Sequence, residues 1–266
     1  MQKYKKGDPK AVFFVTVLLT YLLPVVFFWL AADLPHGKHF KYWFTIWGSI
    51  ATFTIALLAI RKDTVGMETI GWTTKHLKQA LKIILIGWAI WAVIIISVNH
   101  KMGYPFHENF ETSPKTLFQQ WLFVGLAEEL LFRGYIFTKL RQFFANRGAF
   151  WANTLGMIVS SLIFATFHIP QRIFVEGIRL GSSEMAMNFL GVFLVGMVLA
   201  WMFLRTRNVI LVGLVHGGMN APLIGRRGDL APLILFLIII EVAHWLEKRH
   251  HEPMGLADQQ GRNTFR

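Results

Sequence analysis

The 266-residue chain has no cysteine. Disulfides, thiolate metal sites, lipidated cysteines and a cysteine nucleophile are therefore excluded. Acidic side chains are scarce, with 15 Asp and Glu against 27 Lys and Arg. The five aspartates, Asp8, Asp33, Asp63, Asp229 and Asp258, all fall outside the long apolar runs, so no aspartyl dyad can form at membrane depth. There is no HExxH motif; its nearest approach is His107 and Glu108 with Glu111 where the second histidine would stand. Ser160 and Ser161 have no activating histidine beside them on their own segment. Internal repeats, low-complexity tracts and long polar stretches are also missing, which predicts one body over 1–266 with no second soluble domain.

What the chain has in abundance is apolar surface: 54% hydrophobic residues, 24 Phe, 10 Trp and a mean hydropathy of +0.46. A bilayer core takes about 20 apolar residues as helix. On that ruler eight segments stand out, at 11–32, 42–60, 80–98, 116–138, 150–169, 185–204, 208–224 and 231–247. The expected fold is an all-α, polytopic membrane helix bundle of about eight transmembrane helices. The first apolar run is too long for a signal-peptide core and reads as a retained span. The net charge of +12 sits in short clusters between apolar runs rather than along one basic face, which fits anionic lipid and not nucleic acid.

Placing the N-terminus inside gives the inner loops and tails 17 basic residues and the outer loops eight. The positive-inside rule then predicts cytoplasmic termini in a cell membrane. The segment from Thr64 to Lys78, with Trp72, Lys75 and Lys78, reads equally as an interfacial stretch or an ordinary loop.

A charged side chain at the centre of a span costs roughly 2.5–3.5 kcal/mol on insertion scales, so each one points to a use. Glu128, Glu129 and Arg133 interrupt the fourth segment. On a helix Glu129 and Arg133 stand at i and i+4 and can pair, while Glu128 points about 100° away toward another partner. The fifth segment ends with Phe164 and His168 on one face before Pro170, and the seventh carries His216 and Asn220 at i and i+4 among Gly213, Gly217 and Gly218. Small residues there allow close approach of a helix or a substrate backbone.

Taken together these groups suit peptide hydrolysis without a covalent nucleophile. Glu128 with His168 would activate a water, and His216 and Asn220 would hydrogen-bond the developing oxyanion. Zinc held by Glu128, His168 and His216 is a rival arrangement, although the expectation is a site with no metal or other cofactor. Two further rivals are a scaffold or immunity protein whose polar residues only staple helices, and a small transporter using Glu128 as a proton relay. The histidines and Glu252 of the C-terminal tail read as a solvated end.

Glu128-Glu129-x-x-x-Arg133, Phe164-x-x-x-His168 and His216-x-x-x-Asn220, in this order and on separate spans, resemble the three motifs of the CAAX-protease and bacteriocin-processing family of intramembrane glutamate endopeptidases. The motif-bearing core runs from about 115 to 225. The resemblance implies catalytic roles for Glu128, His168, His216 and Asn220, site-shaping roles for Glu129 and Arg133, and a membrane-associated protein or peptide as substrate. It also implies a bacterial cell membrane as the setting, since many relatives are bacterial. CAAX processing is cytoplasmic, whereas the predicted orientation puts His168 near the outer face.

Overall fold

The computed structural model describes residues 8–32, 38–63, 65–105, 110, 112–226 and 229–251. The first three lysines, Asp33, the nearest approach to HExxH (His107, Glu108, Glu111) and the tail from Glu252 onward lie outside them. Helices occupy all eight predicted segments in order: α1 Pro9–Ala32, α2 Lys38–Lys62, α3 Thr74–Lys101, α4 over 114–143, α5 Ala149–Phe167, α7 Ser183–Thr206, α8 Val209–Asn220 and α9 Ala231–His251. A short α6, Ile169–Phe174, follows α5. The protein is an all-α multi-pass bundle. Five of these helical stretches, α5 being counted on through α6, are long and apolar enough to cross a membrane.

The helix starts follow local chemistry. Ser113 accepts a hydrogen bond from the Thr116 amide ahead of α4, with Pro114 in the first turn, and Ser182 and Asn208 cap α7 and α8 in the same way. α8 ends at Asn220, four residues earlier than predicted. The cause is Pro222, which disfavours helical backbone at Ala221, where φ is −141° and ψ 83°. At 12 residues α8 is only about 18 Å long, too short for a hydrocarbon core of about 30 Å, so its last residue stays at depth.

α4 and α8 form the centre. Every residue of α8 from Val209 to Gly218 is buried, as is every residue of α4 from Leu130 to Leu140. α2, α3, α5, α7 and α9 pack around them, and α1 lies against α2 and α6. α4 is a hybrid in which Gln119–Gly125 and Leu130–Phe137 are π-helical and Leu126–Glu129 between them is α-helical. Such wide turns re-aim side chains and recur at functional sites.

The stretch before α3 is anchored to the rest of the bundle. Ile70 is fully buried, its carbonyl accepts from the Val209 amide at 3.0 Å, and Asn208 Nδ2 donates to the His76 carbonyl at 2.9 Å. Gly71 sits at φ +72°, where a Cβ would come within 2.0 Å of the Arg207 carbonyl oxygen. The turn thus plugs the α7–α8 corner, and Lys75 and Lys78 belong to the first turns of α3.

Candidate active site

Three glycines let α4 and α8 approach until their backbones touch. A Cβ on Gly125 would lie 2.2 Å from the Gly213 carbonyl oxygen, and one on Gly217 would lie 2.6 Å from both the Gln120 carbonyl oxygen and Trp121 Cα. The contact carries the His216 face of α8 onto the Glu128–Glu129 turn of α4.

Glu129 is fully buried, and its Oε1 accepts from Arg133 Nη1 at 2.8 Å and from His216 Nδ1 at 2.9 Å. Arg133 Nη2 donates to the Gly196 carbonyl of α7 at 3.0 Å, which ties a third helix to the pair. The guanidinium lies over the Phe164 ring, 4.3 Å from its centroid, and the ring centroids of His168 and His216 are 4.7 and 5.8 Å from that of Phe164. Phe164 therefore spaces both imidazoles and shields the ion pair from the cavity.

Glu128 points elsewhere, as the helical spacing predicts. Its Oε2 is 3.7 Å from His168 Nε2 and 4.0 Å from His216 Nε2, and among the described residues it has no hydrogen-bond partner. The tautomers explain why. His168 Nδ1 is 2.8 Å from the Phe164 carbonyl oxygen and must donate to it, and His216 Nδ1 faces the Glu129 carboxylate. In the neutral rings both Nε2 atoms then carry lone pairs, so three acceptors converge with no donor between them. The Glu128 and His168 side chains are 13% and 16% exposed, against 0% and 4% for Glu129 and His216. Only the first pair meets the cavity broadly.

That cavity is open and has a volume of about 830 Å³. Glu128, His168, His216 and Asn220 line one side, and Leu23, Pro24, Phe27 and Phe28 of α1 with Gly48 and Ser49 of α2 line another. It occupies the half of the bundle away from Pro9. Tyr21 of α1 reaches Thr166 at 2.8 Å, which fixes α1 beside the end of α5. Among the described residues, no three His, Asp or Glu side chains are grouped so as to hold one metal ion.

All seven predicted residues converge here, but three neighbours were not anticipated. Gln120 lines the cavity and its Oε1 accepts from Asn220 Nδ2 at 3.1 Å. Trp121 Nε1 donates to the Ala221 carbonyl at 2.8 Å, and Arg172 lines the cavity mouth while pairing with Glu176. Gln120 lies eight residues before Glu128, roughly 80° off its face on an ideal helix. The wide turn at Gln119–Gly125 alters that register, so periodicity gave no sign of it.

No curated protein gives a significant match to the chain. Residues 111–222 match the family model described as type II CAAX prenyl endopeptidase Rce1-like. The matched stretch holds α4 from its first turn to the end of α8, and with it all seven residues above. Over that stretch the chain is similar to the type II CAAX prenyl endopeptidases that the model describes.

Proposed function

We propose that the protein is an intramembrane endopeptidase that hydrolyses a peptide bond of a membrane-associated protein or peptide with a water activated by Glu128 and His168. The carrying observation is Glu128 Oε2, without a hydrogen-bond partner among the described residues, beside His168 Nε2 at 3.7 Å on one open cavity. A water there can donate to Glu128 and His168 at once, which removes its proton as it attacks the scissile carbonyl. The tetrahedral oxyanion would lie toward Asn220 and toward His216, whose Nε2 donates when the ring is doubly protonated, with Glu129 against the opposite nitrogen. Glu128 then returns the proton to the leaving amine. Glu129, Arg133 and Phe164 hold the imidazoles in register.

A helix-stapling scaffold would have its polar atoms paired and its void closed, and this site has an orphaned carboxylate oxygen on a cavity. The mechanism as drawn needs no metal. The apolar α1 wall suits a lipid-modified chain such as a prenylated C-terminus, as well as an apolar peptide. Cytoplasmic termini would put the cavity in the outer half of the membrane, whereas CAAX-type processing would require the reverse orientation.

The test is cleavage of membrane-anchored peptides by purified protein, comparing wild type with Glu128→Gln and His168→Ala, each with and without a zinc chelator. Chelator-insensitive cleavage that both substitutions abolish is the expected result. Cleavage that survives Glu128→Gln would overturn the mechanism.

A further inference from the structure

Around Asn220 the amide groups form a chain that the three motifs do not include. Gln119 Nε2 donates to the Tyr42 carbonyl of α2 at 2.8 Å. Gln120 Nε2 reaches Gln119 Oε1 at 3.5 Å, the longest link, and Gln120 Oε1 accepts from Asn220 Nδ2 at 3.1 Å. Gln119 is buried outside the cavity, whereas Gln120 and Asn220 line it. Asn220 is the last residue of α8. The backbone beyond it is pinned by two indoles, Trp121 Nε1 on the Ala221 carbonyl and Trp91 Nε1 on the Ile224 carbonyl at 3.1 Å.

We propose that Gln120 is a positioning residue for Asn220, and that Gln119 anchors it to α2. The inference rests on the hydrolytic reading above, in which Asn220 faces the oxyanion. An amide nitrogen carries two N–H groups in one plane, so holding one on Gln120 sets the direction of the other. Gln119 Oε1 in turn receives the Gln120 amide and so limits its rotation. Such a donor gains most from fixed aim where charge develops only in the transition state, because reorientation would otherwise be needed at the moment of reaction. The close approach that places the two residues together depends on Gly217, whose Cα faces the Gln120 carbonyl. The wide turn at Gln119–Gly125 puts both glutamines where α2 and α8 can be reached from adjacent positions of one helix.

The experiment measures kcat and KM on a membrane-anchored peptide for wild type, Gln120→Leu, Asn220→Ala, the double variant and Glu128→Gln, with thermal melting of each. Gln120→Leu is expected to lower kcat by roughly 10-fold to 100-fold, at most the low end of the roughly 10²-fold to 10³-fold lost with one oxyanion donor, and to leave KM within about twofold. The double variant should be no slower than Asn220→Ala alone, because both changes remove one function. Gln119→Leu touches the chain outside the cavity and serves if Gln120→Leu does not fold; a fall in kcat smaller than in Gln120→Leu, at constant KM, is expected there. Glu128-dependent cleavage with unchanged kcat in the glutamine variants, or effects that multiply with Asn220→Ala, would overturn this assignment alone. Cleavage that does not need Glu128 would overturn the hydrolytic reading and this assignment together.

Discussion

Helix α4 carries two buried clusters of opposite charge, and they are completed differently. At Lys139, roughly 16 Å along the axis from Glu128 at 1.5 Å per residue, the Nζ donates to Asp63 Oδ1 at 2.9 Å, and Tyr135 donates to Asp63 Oδ2 at 2.9 Å. Both carboxylate oxygens have donors and Asp63 and Lys139 are each 3% exposed. The Glu128 cluster has more titratable groups, five with Glu129, Arg133, His168 and His216, yet among the described residues Oε2 of both glutamates is without a hydrogen bond, and one of the two carboxylates borders an open cavity. A buried charge that is fully paired serves packing. One held short of donors beside a cavity is poised to receive a donor from outside the protein.

The sharpest way to separate the clusters is to remove one carboxylate charge from each. Glu128→Gln should lower the hydrolysis rate by roughly 10²-fold to 10⁴-fold, the range for general base catalysis, with a melting midpoint close to wild type. Asp63→Ala should do the opposite, costing about 3–5 kcal/mol by leaving Lys139 buried without its partner, while the protein that stays folded keeps its specific activity. Urea or thermal titration in detergent, beside an activity assay, reads both. Replacing the pair together as Asp63→Leu with Lys139→Met should recover most of that stability, since apolar residues of similar volume often replace a buried pair at little cost.

Two smaller effects refine the comparison. Gly217→Ala forces a Cβ to within 2.6 Å of the Gln120 carbonyl; overpacking of this kind costs about 1–3 kcal/mol, and the separation of α4 from α8 should lower kcat as well. Tyr135→Phe removes one donor from Asp63 and should cost about 1.5–3 kcal/mol, the usual worth of a hydrogen bond to a charged group, without changing kcat. A loss of activity in Tyr135→Phe matching its loss of stability would mean that the two clusters are coupled along α4.

Much of this molecule is legible in its sequence. The hydrocarbon thickness sets a length for apolar runs, and all eight runs became helices. The i, i+4 spacing gave the Glu129–Arg133 pair and separated Glu128 from it, because rotation per residue is fixed within a regular helix. Three polar motifs on otherwise apolar segments could be joined because isolated charges at depth are too costly to be scattered.

The sequence did not show the register of α4, since π-helical turns break the rotation that periodicity assumes, and Gln120 was missed for that reason. It also placed Asp63 outside the apolar runs, and only packing against Tyr135 and Lys139 made it a buried residue. Composition and spacing thus determined the order of the eight main helices and which polar residues stand on apolar segments, because lipid imposes length and the helix imposes angle. Only the tertiary structure decided which atoms are satisfied and which are left facing a cavity, because that depends on how closely Gly125, Gly213 and Gly217 let two helices meet.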